Sequence, residues 1–416
     1  MSGKDLKFET RAIHAGADPA SFQGSTRPPV YQSSAHSFQS AEDLSKAFTG
    51  EVDKDIYMRL SNPTNAALEA RTNDLEGGAG ALATASGMAA VSDTILAALS
   101  GPGHLVAGKS LFMSTYVLLN QVLPRYGIRT DFADPARPEE WRNAVCDDTR
   151  LFYVETIGNP AMDVPDMGNL AETAREMRVP LAVDNTLAGP WLCRPVEWGA
   201  NIVVHSSTKY LNGHGSALGG IVVDAGNFDW PEDKWPDFKV YKDKAHEKAF
   251  LFKLWKEIHI NMGATAAPWH SYLTLMGVET LALRMERHCQ NAMHLAKYLE
   301  GHHKVKSVNY PGLESGPHRE RAEKLFCGKG FGGVFTFRLK DEKQCFRIID
   351  NLRVVRHLAN LGDAKTLIIH PWSTQYVGFP EEKRRELGIT PDMLRVSVGI
   401  EHKDDIIEDF EQALSK

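Results

Sequence analysis

The run NIVVHSSTKYLNGHGSALGGIVVD, residues 201–224, decides the fold. It contains two short strands, NIVVH and GGIVVD, separated by a polar loop that holds Lys209 and several glycines. Both strands are apolar at consecutive positions, which is typical of strands that are covered on both faces. The run therefore predicts a sheet buried between two layers, with a lysine just beyond the carboxyl end of one strand.

Five further candidate strands precede this run, and stretches with helical spacing, such as 88–98 and 167–177, separate some of them. The strands are Gly80–Thr84, His104–Gly108, Arg129–Ala133, Arg150–Thr156 and Pro180–Asp184. Strands that alternate with helices require crossover connections, which produce parallel sheets. We therefore expect an α/β domain with a mainly parallel seven-stranded sheet and helices on both faces.

The chain changes character beyond Asp224. Residues 228–263 are rich in aromatic residues and lysine, and we interpret them as a packed connector or an oligomer contact rather than a membrane-surface helix. Strand-like segments follow at 304–310, 333–339, 365–370 and 394–399. Helices between them predict a smaller C-terminal α+β domain. We divide the chain into an N-terminal extended segment (1–60), the larger α/β domain (61–262) and the C-terminal domain (263–416).

The composition is that of a soluble globular protein with two domains: 416 residues, 43% hydrophobic and 24% charged. A net charge of −6, with Lys and Arg spread along the chain, makes neither nucleic acid nor a membrane an expected partner. The first 16 residues lack the apolar core of a secretory signal, and the apolar stretch 86–99 is too short to cross a bilayer. We therefore expect a cytoplasmic protein. Five scattered cysteines without a CxxC pair predict free thiols and no metal site.

Lys209 lies where open α/β sheets bind ligands, just past a strand end. Partial burial lowers the pKa of a lysine from about 10.4, and the neutral amine can attack an aldehyde. Ser206 and Thr208 are two residues apart in extended chain, so both hydroxyls can face one side and bind a phosphate. A single lysine is more commonly a solvated charge. The glycines of the loop, at 213, 215, 219 and 220, would let the backbone pass close to a flat ring.

Asp184 ends the apolar strand PLAVD. A carboxylate at this position can pair with a pyridinium nitrogen and make the ring an electron sink. A magnesium-binding Asp of a nucleotide hydrolase also ends a strand, but that interpretation needs a GxxxxGK[ST] loop, which the sequence lacks. A dinucleotide site is no better supported, because the glycines of 77–87 precede their strand. A nucleotide-binding α/β protein stays as an alternative.

Ser86 stands at the end of a strand and at the predicted N-cap of a helix. The free N–H groups of Gly87 and Met88, together with the helix dipole, form a site suited to a phosphate. An ordinary helix cap is the better explanation of this segment when it is taken alone. Its combination with Lys209 and Asp184 favours phosphate binding.

These residues belong to longer motifs that resemble the Cys/Met metabolism family of pyridoxal phosphate (PLP) enzymes. The motifs are YMRLSNPT (57–64), ATASGM (83–88), YVETIGNP (153–160), AVDNT (182–186), HSSTK (205–209) and RVSVGIE (395–401). The resemblance covers almost the whole chain. It implies a PLP-dependent transferase of fold type I, with PLP as the cofactor.

Carried over residue by residue, the resemblance makes Lys209 the Schiff-base lysine and Asp184 the partner of the pyridine nitrogen. Gly87, Met88, Ser206 and Thr208 would hold the phosphate. Asn159 would bond the ring hydroxyl.

The resemblance also assigns residues outside the cofactor site of one subunit. Arg395 would grip the substrate carboxylate, a role suited to its two-pronged guanidinium, with help from Asn360. Without the resemblance, Arg395 would more commonly be a surface ion pair. Tyr57 and Arg59 match a pair that, in the family, reaches the cofactor phosphate bound in a neighbouring subunit. The resemblance also gives Tyr57 a role in catalysis. The segment 1–60 would then contact that neighbour, in a homotetramer built from dimers that share active sites.

One departure from the family pattern concerns Phe112, where relatives usually have a tyrosine. Phe112 can stack on the cofactor ring but cannot exchange a proton. Acid or base help of that type is worth about a hundredfold to ten-thousandfold. Either the leaving group needs no proton, or Lys209, Tyr57 or Tyr376 supplies it. A packed tyrosine is the simpler interpretation of Tyr376.

Within the family, the chain most resembles the O-acetylhomoserine sulfhydrylase branch, which acts in sulfur amino acid metabolism and methionine biosynthesis. The expected reaction is γ-replacement: O-acetyl-L-homoserine and sulfide give homocysteine and acetate. Alternatives that stay open are a γ-lyase resembling methionine γ-lyase, a cystathionine γ-synthase, and delivery of sulfur by a small carrier protein. A PLP-binding protein without turnover is the non-enzyme alternative, and Phe112 with the altered pair Met113-Ser114 is the reason to keep it.

Overall fold

The computed structural model describes residues 6–416 and contains two sheets. The larger sheet has seven strands in the order β1-β7-β6-β5-β4-β2-β3. Its strands are β1 (Gly80–Thr84), β2 (Gly103–Gly108), β3 (Ile128–Ala133), β4 (Thr149–Glu155), β5 (Leu181–Asp184), β6 (Ile202–His205) and β7 (Gly220–Asp224). The prediction of seven strands in these places is confirmed.

Strand β7 alone runs against the other six strands of this sheet. It pairs in antiparallel fashion with β1 and β6, whereas β2 to β6 form parallel pairs. The carboxyl ends of the six remaining strands therefore meet at one edge of the sheet. Asp184 ends a strand at this edge, and Ser86 and Lys209 lie just beyond strand ends there, where other open α/β sheets bind ligands.

Helices cover both faces of the large sheet. The helices of the chain are α1 (Phe8–His14), α2 (Ala41–Thr49), α3 (Pro63–Glu76), α4 (Gly87–Leu99), α5 (Met113–Val117), α6 (Pro138–Ala144), α7 (Met167–Glu176), α8 (Gly189–Leu192), α9 (Lys239–Ala245), α10 (Ala249–Lys253), α11 (Ile260–Met262), α12 (Pro268–Glu279), α13 (Leu281–Glu300), α14 (Arg319–Phe326), α15 (Glu342–Asn351), α16 (Glu381–Glu386) and α17 (Lys403–Ser415). In β6, Val203 packs into one hydrophobic layer, and Ile202 and Val204 pack into the other. This alternation explains why the strand is apolar at every position.

The smaller sheet has five strands in the order β10-β11-β12-β9-β8 and confirms a C-terminal α+β unit. Its strands are β8 (Ser307–Asn309), β9 (Val334–Arg338), β10 (Arg356–His357), β11 (Leu367–Ile369) and β12 (Met393–Ser397). The sequence does not predict β10, because both of its residues are exposed and carry no apolar pattern. The exact domain boundaries stay a prediction.

The N-terminal segment is less extended than expected, since it contains α1 and α2. Helix α1 packs against α3 of the same chain, and Arg11 pairs with Asp74 at 2.8 Å. Residues 1–5 of the predicted segment lie outside the described residues. Contact of this segment with a neighbouring subunit stays a prediction.

Residues 228–263 form a packed connector. Trp230, Trp235, Phe238 and Phe250 are each at most 4% exposed; Trp230 stacks on Phe238 and Phe250 and meets Trp235 edge to face. They pack into the hydrophobic layer on one face of the sheet, which supports the interpretation as a packed connector. In residues 6–416, no helix is both long and apolar enough to cross a membrane.

Candidate active site

A cavity of about 270 Å³, partly open to solvent, lies at the edge of the large sheet where the parallel strands end. Its wall includes residues from both sheets, because β12 of the smaller sheet and the loop before β11 close one side. Ten of the predicted site residues line it: Gly87, Met88, Phe112, Asn159, Asp184, Ser206, Thr208, Lys209, Asn360 and Arg395. The structure therefore brings together residues that are up to about 300 positions apart in sequence.

Lys209 projects into this cavity from the turn that follows β6. Its Nζ donates a hydrogen bond to Oδ1 of Asn360 at 2.6 Å. Burial, helped by the positive charge of Arg395, lowers the pKa of Lys209 to about 8. About one tenth of this amine is therefore neutral at pH 7 and able to attack a carbonyl carbon.

Asp184 faces the cavity from the end of β5. Its Oδ2 accepts a hydrogen bond from the Tyr153 hydroxyl at 3.1 Å, and its Oδ1 accepts one from the Thr186 N–H at 3.0 Å. Burial raises the pKa of Asp184, while these donors oppose the shift. A carboxylate held in this way would gain from a cation in the cavity, such as a protonated pyridine nitrogen.

The phosphate side of the cavity is the start of α4. The Ser86 hydroxyl accepts a hydrogen bond from the N–H of Ala89, which leaves the N–H groups of Gly87 and Met88 without a partner inside the helix. A Cβ atom on Gly87 would come within 2.5 Å of Cβ of Ser206. Glycine is thus required for the helix start to approach the Ser206 strand end so closely.

The two predicted hydroxyls differ in their surroundings. Ser206 lines the cavity, and its backbone N–H donates to the Thr186 hydroxyl at 2.8 Å. The Thr208 hydroxyl is already engaged with Gly219, accepting from its N–H at 3.0 Å and donating to its carbonyl at 3.2 Å. Thr208 would therefore have to share its hydroxyl with a phosphate.

The loop glycines do not serve the purpose that the sequence suggested. None of the four lines the cavity; each lets the backbone pass close to a protein group instead. The clearest case is Gly213, which has a φ of +71° and would place a Cβ atom 2.0 Å from the Arg284 guanidinium. Arg284 donates there to the carbonyl of Tyr210, so these contacts fix the turn that carries Lys209.

Arg395 is a buried cation without an acidic partner. Its side chain, 2% exposed, donates to Oδ1 of Asn159 at 3.1 Å and to the carbonyl of Asn360 at 3.2 Å. Its Nε has no hydrogen-bond partner, and among residues 6–416 no carboxylate pairs with it. Burial lowers the pKa of Arg395 to about 10. A guanidinium in this state favours an incoming carboxylate.

Tyr57 and Arg59 lie outside this cavity. Tyr57 is 43% exposed, and the guanidinium of Arg59 lies 5.4 Å from its ring centre. Arg59 donates to the carbonyl of Ile260 at 2.6 Å. A single chain therefore does not place Tyr57 and Arg59 in the cavity where their catalytic and phosphate-binding roles are expected.

Several residues of the wall are missing from the sequence-based prediction. Glu155, Thr186, Ser114 and Gln375 all line the cavity. Glu155 could have been found by the rule that selected Asp184, because it is also an acid at the end of an apolar strand. Tyr376 does not line the cavity; it is buried, and its hydroxyl donates to the Asn159 carbonyl at 3.4 Å. Tyr376 is thus a packed tyrosine.

One cavity of this α/β fold holds a low-pKa lysine, a strand-end carboxylate and a free helix N-terminus. This combination defines an enzyme class that binds a phosphorylated pyridine aldehyde. The comparisons agree. Residues 9–415 match the family model described as Cys/Met metabolism PLP-dependent enzyme. The chain belongs to this family, and PLP is its cofactor.

Three relatives illustrate the similarity. The O-acetyl-L-homoserine sulfhydrylase of Leptospira meyeri is 38% identical, over 99% of this chain and 97% of that protein. The homocysteine synthase of Schizosaccharomyces pombe is 40% identical, over 98% of each chain. A crystal structure of a putative O-acetylhomoserine (thiol)-lyase from Campylobacter jejuni superposes with a TM-score of 0.94 at 32% identity, covering 99% of this chain and 100% of that one. That structure carries an N'-pyridoxyl-lysine-5'-monophosphate.

Proposed function

We propose that this chain catalyses γ-replacement, in which O-acetyl-L-homoserine and sulfide give homocysteine and acetate. The relatives named above support the choice of substrates. One observation carries the proposal: the same cavity holds the low-pKa amine of Lys209 and the guanidinium of Arg395, which has no carboxylate partner among residues 6–416. One group suits an aldehyde cofactor, and the other suits the carboxylate of an amino acid.

In this proposal Lys209 is the attachment point of PLP, and Asp184 pairs with the ring nitrogen. The free N–H groups of Gly87 and Met88, with the hydroxyls of Ser206 and Thr208, hold the phosphate, while Asn159 holds the ring hydroxyl. PLP, when bound, supplies an electron sink for the substrate Cα. The lining residues fit this group, because Asp184 would offer a carboxylate to its ring nitrogen and the start of α4 would offer free N–H groups to its phosphate.

Arg395 fixes the substrate carboxylate, and Asn360 helps through its contacts with both Arg395 and Lys209. Binding the carboxylate holds Cα at a constant distance from Lys209. The neutral Nζ atom of Lys209, whose pKa of about 8 suits a base, would take a proton from Cα, give it up to the cofactor, and only then take a proton from Cβ. Acetate leaves from Cγ as a stable anion. This step therefore needs no proton donor at position 112, where the chain has a phenylalanine. After sulfide has replaced acetate at Cγ, the same amine would return the protons to Cβ and Cα.

The proposal extends to the assembly. Tyr57 and Arg59 lie outside the cavity of their own chain, which supports their service to the phosphate of a neighbouring subunit. A homotetramer built from dimers that share active sites would provide this arrangement. A cytoplasmic location suits such a biosynthetic enzyme.

Product analysis tests the reaction. Purified enzyme with PLP should convert O-acetyl-L-homoserine and sulfide into homocysteine and acetate in equal amounts, and Lys209→Ala should produce neither. Ammonia and a 2-oxo acid in the absence of sulfide would instead identify a γ-lyase. Cystathionine formed from added cysteine would identify a cystathionine γ-synthase. A PLP-loaded protein that forms no product from any of these mixtures would have lost turnover.

The sulfur source is tested in the same assay. If free sulfide is the donor, the rate should saturate with sulfide alone. A reaction that needs an added thiocarboxylate-bearing carrier protein, and ignores sulfide, would contradict the proposed donor.

A further inference from the structure

Glu155 is a buried acid in the cavity wall to which the proposed reaction gives no task. It ends β4, is 4% exposed and lines the same cavity as Lys209. Its Oε1 accepts a hydrogen bond of 2.5 Å from the N–H of Phe112, whereas its buried Oε2 has no partner. A buried polar atom without a partner is costly, so a group entering the cavity is expected to satisfy it.

The nearest strand places a second acid beside it. Glu155 and Asp184 are direct register partners in the parallel pair of β4 and β5. Two neighbouring carboxyl groups in a buried site do not both ionise readily, because each anion opposes the other. One of the two is therefore expected to keep its proton.

The surroundings decide which acid keeps it. Asp184 accepts hydrogen bonds from the Tyr153 hydroxyl and the Thr186 N–H, one on each oxygen, and both donors stabilise an anion. Glu155 accepts one N–H on one oxygen only. Among residues 6–416 no basic side chain forms an ion pair with Glu155. The negative charge thus favours Asp184, and the proton favours Glu155.

The pKa of Glu155 agrees with this assignment. Burial, followed by the negative charge of Asp184, raises the pKa of Glu155 well above its ordinary value. Asp163 acts in the same direction, while the backbone N–H groups of Phe112 and Asn159 act against the shift. These are charged or polar groups from the strand beside Glu155 and from the loops on either side of it.

The position of Phe112 gives this acid a use. Phe112 lines the cavity next to Glu155, and its side chain offers no hydrogen-bond donor. We propose that Glu155 stays protonated in the PLP-loaded enzyme and that its Oε2–H donates a hydrogen bond to the occupant of the cavity. It thereby supplies, from the neighbouring wall, the donor that a phenylalanine lacks. This inference rests on the proposed function only in placing PLP and an amino acid in this cavity.

Infrared difference spectroscopy tests the protonation directly. The spectrum of PLP-loaded wild type minus that of Glu155→Gln should show a protonated-carboxyl C=O band, which shifts to lower wavenumber in D₂O. The other buried acids cancel because both proteins contain them. A control, Glu172→Gln at an exposed position of α7, should show carboxylate bands only. Carboxylate bands in the Glu155→Gln difference would overturn the inference.

Kinetics test the donor role. Glu155→Gln keeps a neutral donor, and Glu155→Leu removes it at similar size. With PLP content matched by visible absorbance, kcat of the Gln variant should stay within about threefold of wild type, whereas that of the Leu variant should fall roughly tenfold. Equal kcat in all three proteins, or equal loss in both variants, would contradict donation. Because the infrared test needs no turnover, failure of the proposed reaction leaves the protonation result unaffected.

Discussion

Arg395 shows at the scale of one residue how burial without a partner indicates a ligand. It keeps two hydrogen bonds to neutral oxygens, from Asn159 and Asn360, and lacks the carboxylate that buried guanidinium groups usually have. We predict that Arg395→Lys lowers kcat/KM for the amino acid substrate about 30-fold, equivalent to about 2 kcal/mol, because an ammonium cannot make the two-pronged contact. The loss should appear mainly in KM, since the carboxylate is bound before and during the reaction.

The control for this prediction is Arg347→Lys, at an exposed position of α15. Its kinetic constants should match those of wild type. A loss confined to kcat in Arg395→Lys would assign the arginine to the reacting atoms and contradict carboxylate binding.

Lys209 carries a second prediction at this scale, on pH. At pH 7 an amine with a pKa of about 8 is about one tenth neutral, against roughly one part in 2,500 for the ordinary value of about 10.4. Because only the neutral amine attacks the PLP aldehyde, the rate of PLP uptake by cofactor-free protein should rise with pH and level off above about 8. Stopped-flow absorbance measures this rate.

The same measurement on Arg395→Met checks the cause of the shift. Burial lowers the pKa of Lys209 first, and the positive charge of Arg395 lowers it further. Removing that charge should move the midpoint to higher pH. A wild-type rate that still rises through pH 10 would show that Lys209 keeps an ordinary pKa.

At the scale of elements, the sequence predicts the strands and helices whose burial requires a recognisable apolar pattern. The strands of the large sheet are predicted almost to the residue, because consecutive apolar residues are needed where both faces are covered. β10 is not predicted, since its two exposed residues are a strand only through pairing with β11. The helices α1 and α2 are too short to show a reliable period.

The site follows the same logic. Lys209 and Asp184 are predictable because each follows an apolar strand, and the topology brings parallel strand ends together. The prediction that the loop glycines make room for a flat ring was wrong. A glycine in a sequence does not reveal whether protein or ligand fills the space beside it. The contact of Gly213 with Arg284 joins parts of the chain that only the folded structure brings together.

The start of α4 carries the prediction at this scale. A methyl group on Gly87 would meet Ser206 at 2.5 Å, so Gly87→Ala must push the helix away from β6. Overpacking of this kind costs about 1–3 kcal/mol, and the displaced N–H groups should weaken PLP binding by roughly tenfold or more. Titration of cofactor-free protein with PLP, followed by absorbance, measures the dissociation constant.

Gly168, in the first turn of α7, provides a matched control. A Cβ atom there would meet Trp198 at 3.9 Å, an ordinary contact. Gly168→Ala should therefore leave PLP affinity unchanged. Equal PLP affinity in the two alanine variants would show that the close approach of α4 does not matter for the phosphate.

At the scale of the whole molecule, the surface outside the cavity remains to be explained. Trp269, Met276 and Leu283 recur every seven residues along α12 and α13 and are 52%, 43% and 69% exposed. Single exposed apolar residues are common, but from three in regular spacing we predict a contact surface. Tyr57 and Arg59 do not line the cavity of their own chain, so we predict that they act on the cavity of a neighbouring subunit.

Subunit mixing tests whether active sites are shared between chains. Two inactive chains, one with Lys209→Ala and one with Arg59→Ala, are co-expressed with different tags and purified through both. If Arg59 serves the neighbour, each mixed dimer has one site in which Lys209 and the neighbouring Arg59 are both intact, so about half of wild-type activity should return. Pairing Lys209→Ala with Asp184→Ala provides the control, because both changes lie in the cavity of their own chain and no intact site forms. If dimers of the Lys209→Ala and Arg59→Ala chains are as inactive as this control, Arg59 acts on the active site of its own chain. The exposed position of Tyr57 would then need another explanation.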